Sequence, residues 1–382
     1  MNAMKAAFWL SAGMLVYTYL VYPVLLAVLA KLFGRREESP PRRVEMPAVS
    51  LVFAAHNEEA VIAEKMQNCA AIDYPQEKLE ILVGCDCCSD RTVQIAEAAA
   101  LSNARVFDFR ERSGKPMVLN RLVPRARGEI VVFCDANIIF APDAIRLLMR
   151  PFADPRIGCA CGEVKFRTAS GGPSAESSYW RYECFLKRME SRLDALVGAS
   201  GAFFAVRRDL YEPLPPQGII DDFLIAMRVR DAGYRLIYEV AALAFEETAA
   251  SVRDEFHRRV RIGAGNFHAL RFTWRQLLPS AGSAAFAYWS HKVFRWLAPF
   301  ALLLLAASSL ALSAGPFYAA CAALILAFAL SGLLGYLLEL RNVRRSVFSM
   351  PYYFLSMNLA LLLGFFRFAT RAQSLAWRRT AR

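Results

Sequence analysis

The pattern of apolar and polar positions divides the chain of 382 residues into three parts. From residue 6 to residue 33 no charge occurs before Lys31, a stretch longer than the ~20 residues that cross a bilayer as a helix. It is too long for a signal-peptide core and no clean small-residue cleavage site follows it, so a retained anchor is expected over 1–36. From Pro47 to Glu247 short apolar runs alternate with helical periodicity. Residues 49–54, 79–84, 104–109 and 130–134 predict strands, and 58–71, 90–100, 115–123 and 142–149 predict helices. Towards the other end, 297–314 and 317–340 predict a transmembrane hairpin turning at Gly315-Pro316, while 351–366 is shorter than a comfortable span. That last run is expected to be re-entrant or interfacial, or a fourth span, within a segment 350–382 that ends in a basic tail.

Strand, helix, strand, helix over some 100 residues predicts an α/β domain, a mostly parallel sheet with helices on both faces, flanked by transmembrane helices. The expected organisation is an anchor at 1–36, a cytoplasmic domain at 47–270, an interfacial region at 271–296 rich in aromatic and basic residues, the hairpin at 297–340, and the 350–382 segment. Charge refines this picture. The net charge is +12, but residues 251–382 hold 16 Lys and Arg against 3 Asp and Glu, while the first 250 hold 30 against 31. A near-neutral body joined to a basic, apolar tail fits a membrane surface and argues against a nucleic-acid partner. Lys31, Arg35, Arg36, Arg42 and Arg43 follow the anchor against Lys5 before it, which places the body on the cytoplasmic side of the plasma (inner) membrane by the positive-inside rule. The nine cysteines show no paired metal-ligand spacing and read as small residues in a reducing compartment.

In open α/β sheets ligands bind beyond the carboxyl ends of the strands, so the polar residues there carry the chemistry. The first predicted strand runs into His56-Asn57-Glu58-Glu59, the second into Cys85-Asp86-Cys87-Cys88-Ser89-Asp90, and the fourth into Asp135-Ala136-Asn137. Arg112-Ser113-Gly114-Lys115 opens a helix. Singly, Asn57, Ser89 or Asp90 serves equally as a helix cap or first-turn charge, and Gly114-Lys115 lacks the rest of a P-loop. Together they set four polar clusters on one rim of one sheet, suited to a nucleotide, a divalent metal and a phosphate.

As an ordered set these motifs resemble the family 2 glycosyltransferases, with their GT-A nucleotide-sugar-binding fold, and in particular the membrane-bound cellulose- and hyaluronan-synthase-like branch. The resemblance runs from about residue 49 to residue 270. It implies that Glu58 and Asp86 hold the ribose and base of the donor, most often uridine, that Asp90 supports that loop, and that Lys115 faces the diphosphate. Asp135 would bind Mg2+ or Mn2+, with Asn137 in place of the second Asp of the family's DxD motif. Segments around Glu163 and Gly201 correspond to the acceptor site. Asp222 would be the catalytic base, with Asp221 supporting it, although the pair also suits the start of a helix. Arg259 and Arg261 would clamp the diphosphate from a basic helix that departs from the processive enzymes' QxxRW motif: Gln becomes Arg258, Arg261 is kept, and Trp becomes Ile262. The resemblance thus implies an inverting, metal-dependent hexosyltransferase acting on a lipid-linked or glycan acceptor in cell-envelope or exopolysaccharide synthesis, in contact with membrane lipids and with polysaccharide export components as further partners. A processive polysaccharide synthase and a polyprenyl-phosphate glycosyltransferase are the alternatives among enzymes. An inactive scaffold of an export complex is the alternative outside them. Trp289, His291, Lys292 and Arg295 read as parts of an interfacial belt.

Overall fold

In the computed structural model the described residues are 2–35, 45–167, 175–247, 252–341, 343 and 347–371. The chain enters as α1 (Asn2–Val16), passes one wide turn at Tyr17–Val21 and continues as α2 (Tyr22–Phe33). The body follows as β1 (Val49–Ala55), α3 (Ile62–Ala70), β2 (Leu79–Asp86), α4 (Thr92–Ala98), β3 (Ala104–Phe109), α5 (Lys115–Leu122), β4 (Ile130–Cys134), β5 (Ile139–Phe140) and α6 (Ala144–Met149). Its second half is β6 (Ile157–Arg167), α7 (Ala175–Arg192), β7 (Phe203–Arg207), α8 (Asp221–Asp231), β8 (Arg235–Glu247) and α9 (Val252–Thr273). Then come α10 (Ser283–Ala287), which runs through a second wide turn at Tyr288–Val293 into α11 (Phe294–Ala311), α12 (Pro316–Leu340) and α13 (Ser349–Ala369).

The eight strands form one sheet in the order β3-β2-β1-β4-β7-β6-β8-β5. The first four pair in parallel, as their spacing by helices requires. Beyond them β7 runs antiparallel to both β4 and β6, while β8 is parallel to β6 and antiparallel to β5. Alternation along β1 splits the core in two: Val49, Leu51 and Phe53 face one layer, Val52 and Ala54 the other. The order of strands reverses between β1 and β4, so the turns after them, at 56–59 and 135–137, flank the switch point where such sheets bind ligands.

Four helical segments are long and apolar enough to cross a membrane: Asn2–Phe33, Ser283–Ala311, Pro316–Leu340 and Ser349–Ala369. The segment from Ser283 runs unbroken through the boundary expected at residue 296, and the last is 21 residues long, which at ~1.5 Å per residue covers a hydrocarbon core. The first, second and last of these pack onto the body. Tyr288, Val293 and Trp296 lie in the same buried cluster as Phe133, Phe204 and Phe223 of the sheet layer. Arg35 N–H donates to Arg192 O at 2.9 Å, and the Tyr22 hydroxyl donates to Glu190 at 2.8 Å, fixing α2 along α7.

Helix α13 approaches α9 through glycine. A Cβ at Gly364 would stand 2.7 Å from Ala264 N and 2.8 Å from the Gly263 carbonyl carbon, against backbone that has nowhere to retreat. Gly364→Leu is therefore expected to lower the thermal midpoint of the detergent-solubilised protein by the equivalent of about 1–3 kcal/mol. Gly13→Leu, where a Cβ would meet nothing within 4 Å, should not; equal midpoints for the two variants would show that this close approach is unimportant.

Candidate functional site

The turns after β1 and β2 are stitched together. Asn57, at a φ of 54°, donates from its amide to the Ser89 hydroxyl and accepts from Ser89 N–H at 2.8 Å. Thr92 hydroxyl receives the Glu58 N–H at 2.8 Å, and Asp90 receives the Glu59 N–H at 3.2 Å together with the Thr92 N–H and hydroxyl. Asp90 thus ties the two turns together. Asp86 differs from expectation. It is 1% exposed, one oxygen accepts from Ser113 N–H and the other from Gly114 N–H, both at 2.8 Å. Gly114 has a φ of 85°, which turns its N–H toward that carboxylate and starts α5. Asp86 therefore positions the Lys115 turn with both of its oxygens.

Lys115 opens α5 at the centre of the site. Its ammonium lies 2.8 Å from Asp135 Oδ1, past the end of β4, and 3.0 Å from Asp221 Oδ2, at the start of α8. Burial opposes its charge, yet the two carboxylates outweigh it and hold the ammonium above its ordinary range. Asp222 follows on the first turn of α8, where the helix dipole favours a carboxylate. Burial, reinforced by the charge of Asp221 and opposed by Lys115, pushes the Asp222 carboxyl up to about 6. The next residue, Phe223, packs on Tyr288 and Trp296 with ring centroids 5.6 and 6.1 Å away, so the helix that bears Asp222 is keyed into the 283–311 segment. Gly201 is flush with the carboxylate: a Cβ there would stand 2.9 Å from Asp222 Oδ2.

One cavity of about 680 Å³ gathers these groups. Glu58, Lys115, Asp135, Asn137, Gly201, Asp221 and Asp222 line it, and so do Arg258, Arg259 and Arg261 of α9. The arginines divide. Arg261 is drawn toward the carboxylates Asp135 and Asp221, whose charges oppose the lowering effect of its burial. Arg259 pairs with Glu255 at 2.5 Å and donates to the Tyr353 hydroxyl of α13 at 2.9 Å. Glu163 stands on β6 opposite Leu243 and does not line this cavity.

Two further groups escaped sequence reading. Glu246, at the end of β8, accepts from the Asn137 amide at 3.5 Å and shares the cavity wall with Asp135 and Asn137. Its only signal is a pair of carboxylates closing an apolar strand. The second is a buried charge network between α7 and the 283–311 helix. His291, 0% exposed, bridges Glu190 at 2.6 Å and Glu183 at 3.2 Å, and Arg295 also pairs with Glu183. His291 is thus a buried link and not an interfacial residue. Burial opposes the charge of Glu183, but Arg295, His291 and Lys292 hold its carboxyl well below the usual range. Glu183 and Glu190 are seven residues apart on one helix face, and His291 and Arg295 four apart on another, a complementarity visible only once the helices are paired.

The family model described as Glycosyl transferase family 2 matches residues 50–214. Among curated relatives, the probable glycosyltransferase YdaM of Bacillus subtilis is 26% identical over 240 residues, covering 58% of this chain and 56% of the relative. The beta-monoglucosyldiacylglycerol synthase of a Synechocystis strain is 26% identical over 287 residues, covering 70% and 59% respectively. The chain therefore spans little more than half the length of these relatives. A mannosyltransferase from Pyrobaculum calidifontis, solved with GDP-Man and Mn2+, superposes with a TM-score of 0.74 at 22% identity, over 97% of this chain and 99% of the other. The fold is that of the GT-A enzymes, and residues 50–214 match the family 2 glycosyltransferases.

The raised Asp222 carboxyl has a consequence for stability. A half-buried acid lifted to about 6 burdens the folded state once pH exceeds its unfolded value, and the burden is complete above the folded value. Asp222→Asn should therefore raise the thermal midpoint at pH 8 by the equivalent of about 1–3 kcal/mol, with the gain shrinking as pH falls toward 4. A midpoint that is lowered, or a difference that does not change with pH, would show that Asp222 is not strained by its surroundings.

Proposed function

We propose that this family 2 glycosyltransferase is a membrane-anchored, inverting enzyme that moves a sugar from a nucleoside-diphosphate donor to an acceptor hydroxyl of a lipid-linked sugar or a growing glycan of the cell envelope. The observation that carries the reading is the meeting of Lys115, Asp135, Asp221 and Asp222 around one cavity at the switch point of the sheet. The sequence resemblance favours a uridine nucleotide, while the Pyrobaculum neighbour was solved with GDP-Man, so both bases are tested below. The catalytic body lies on the cytoplasmic side of the plasma membrane, with the four apolar helices spanning it.

Asp222 is the base. It accepts the acceptor's hydroxyl proton as that oxygen bonds to the anomeric carbon, while the bond from that carbon to the diphosphate breaks on the opposite face and its electron pair departs with the nucleoside diphosphate. A carboxyl poised near 6 is mostly ionised at neutral pH and still basic enough to take the proton. Gly201 leaves the carboxylate uncovered on the side from which an acceptor approaches. Asp221 and Lys115 set the position and basicity of Asp222, and Lys115 and Arg261 place positive charge where the diphosphate must lie. Glu58 lines the nucleotide end of the cavity.

The residues present fit a divalent ion. Asp135, Asn137 and Glu246 offer hard oxygen ligands on one wall. Among the described residues no three His, Cys, Asp or Glu side chains form a complete metal cage, so donor oxygens would have to complete the coordination of an ion held here. When bound, Mg2+ or Mn2+ supplies neutralising charge for the departing diphosphate.

Purified protein supplied with UDP- or GDP-sugars, membrane lipid extract and Mn2+ should release nucleoside diphosphate. Turnover should fall below about pH 6, where Asp222 becomes protonated. Asp222→Asn should lower kcat by roughly 100-fold or more with little change in donor binding, and Asp135→Ala should weaken both metal activation and donor binding. Binding of no nucleotide sugar, or full turnover by Asp222→Asn, would overturn the reading.

A further inference from the structure

We propose that Cys85 and Cys88 form a reversible dithiol–disulfide pair, a modification site on the rim of the sheet whose oxidation loosens the hold of the cavity on its nucleotide. The redox chemistry of the pair stands by itself; its effect on a nucleotide rests on the preceding reading.

Three of the four residues from 85 to 88 are cysteines, and their surroundings differ. Cys85, next to the end of β2, is 0% exposed and pairs in register with Ala55 of β1. The chain then bends at Cys87, an exposed residue with a φ of 54° whose N–H donates to Phe109 O at 2.8 Å. The bend brings Cys88 back against the residue that Cys85 faces: its Sγ donates to Ala55 O at 3.6 Å. Cys88 packs on the same buried layer that holds Cys85 and Ala55, and the Cys85 thiol donates to the Cys88 sulfur. Sulfurs already in hydrogen-bond contact need only close to the ~2.05 Å of a disulfide.

The two thiols are unlike in reactivity. Cys88 is half-buried, within reach of a small oxidant, whereas Cys85 is sealed. The hydrogen bond from Cys85 holds the Cys88 thiol below its ordinary value against the opposing effect of burial. That bond, together with burial, pushes the Cys85 thiol up. Cys88 is therefore the sulfur that reacts first. With hydrogen peroxide its thiolate attacks one oxygen, the O–O bond breaks, and hydroxide leaves to become water with the proton lost by Cys88. The sulfenic acid so formed is attacked by the Cys85 sulfur. The S–O bond breaks, and the departing hydroxide takes the Cys85 proton as a second water. Two thiols have then lost two electrons and one peroxide has gained them. A small thiol reductant reverses the bond by exchange.

The residues joined to this loop are those that hold the cavity in shape. Asp86 lies between the two sulfurs, and its oxygens accept the Ser113 and Gly114 N–H groups that start α5 and aim Lys115. Ser89, directly after Cys88, is tied to Asn57, and Thr92 and Asp90 receive the Glu58 and Glu59 N–H groups. Drawing Cys88 onto Cys85 pulls on both sets of bonds, and so on Lys115 and Glu58, which line the cavity.

The test starts from the reduced full chain in detergent, treated with hydrogen peroxide, alkylated with iodoacetamide and digested for mass spectrometry. UDP and GDP binding is measured before and after peroxide. The peptide holding residues 85–88 should lose two hydrogens and keep one alkylated cysteine, Cys87. Nucleotide affinity should fall roughly tenfold or more, as displaced binding groups require, and dithiothreitol should restore it. Cys87→Ser should behave like the parent. Cys88→Ser should form no bond and bind equally before and after peroxide. Cys85→Ala should stop at a Cys88 sulfenic acid that dimedone traps, which shows that Cys88 reacts even where the bond cannot form. Absence of an 85–88 bond in the parent would overturn the proposal, as would a bond that leaves nucleotide affinity unchanged. A Cys88→Ser protein that loses affinity on oxidation would overturn it too. Reduced parent protein that forms the bond but binds neither nucleotide at any stage would instead overturn the donor reading and leave the dithiol pair standing.

Discussion

The site depends on one ammonium held between two carboxylates. Lys115 is 2.8 Å from Asp135 and 3.0 Å from Asp221, and through these contacts it ties the start of α5, the end of β4 and the start of α8. Each is a different part of the chain, and none would hold its place alone. Two carboxylates this near each other repel in a buried setting unless a cation lies between them. The cation is itself aimed by Asp86, which fixes the Ser113-Gly114 turn that begins α5. Asp222 feels the result: Asp221 beside it raises its affinity for a proton and Lys115 restrains the rise. The chemistry assigned to Asp222 is thus a property of the four-residue arrangement and not of one side chain.

Much of this was legible in the sequence. The four parallel strands fall within two residues of their predicted ends, because apolar runs bounded by turn residues leave little freedom in a sheet buried on both faces. The rim residues Glu58, Lys115 and Asp135 could be picked out because they stand just past strand ends or at a helix start, whereas Asp222 came from the family resemblance. What could not be read was pairing at long range. Lys115 was legible as a phosphate ligand, but nothing local says that its partner is Asp221. Asp86 looked like a ligand for the nucleotide because it follows a strand, yet two backbone N–H groups from another loop claim its oxygens. Glu163 sits in a promising segment, but the register of β6 against β8 sets it opposite Leu243. The antiparallel half of the sheet was equally hidden, since strand direction there follows from how α7 and the sheet pack and not from any run of residues.

The apolar helices take part in the site as well as flanking it. Phe223, next to Asp222, packs against Tyr288 and Trp296 of the 283–311 helix, and Arg259 reaches Tyr353 of α13. The buried network of Glu183, Glu190, His291 and Arg295 joins the same helix to α7. Charges so deeply buried are costly unless each has a partner, which makes this junction specific in register. A cavity shared by the sheet rim and the helices follows from that junction.

The most direct test of the central claim is the pH dependence of sugar transfer in Lys115→Gln beside the parent protein. If Lys115 restrains the proton affinity of Asp222, the acid limb of the rate profile moves up from its midpoint of about 6 when the ammonium is removed, in addition to any loss of donor affinity. A profile with the same midpoint, reduced only in height, would contradict the account: Lys115 would then be a donor-binding cation with no hold on the base.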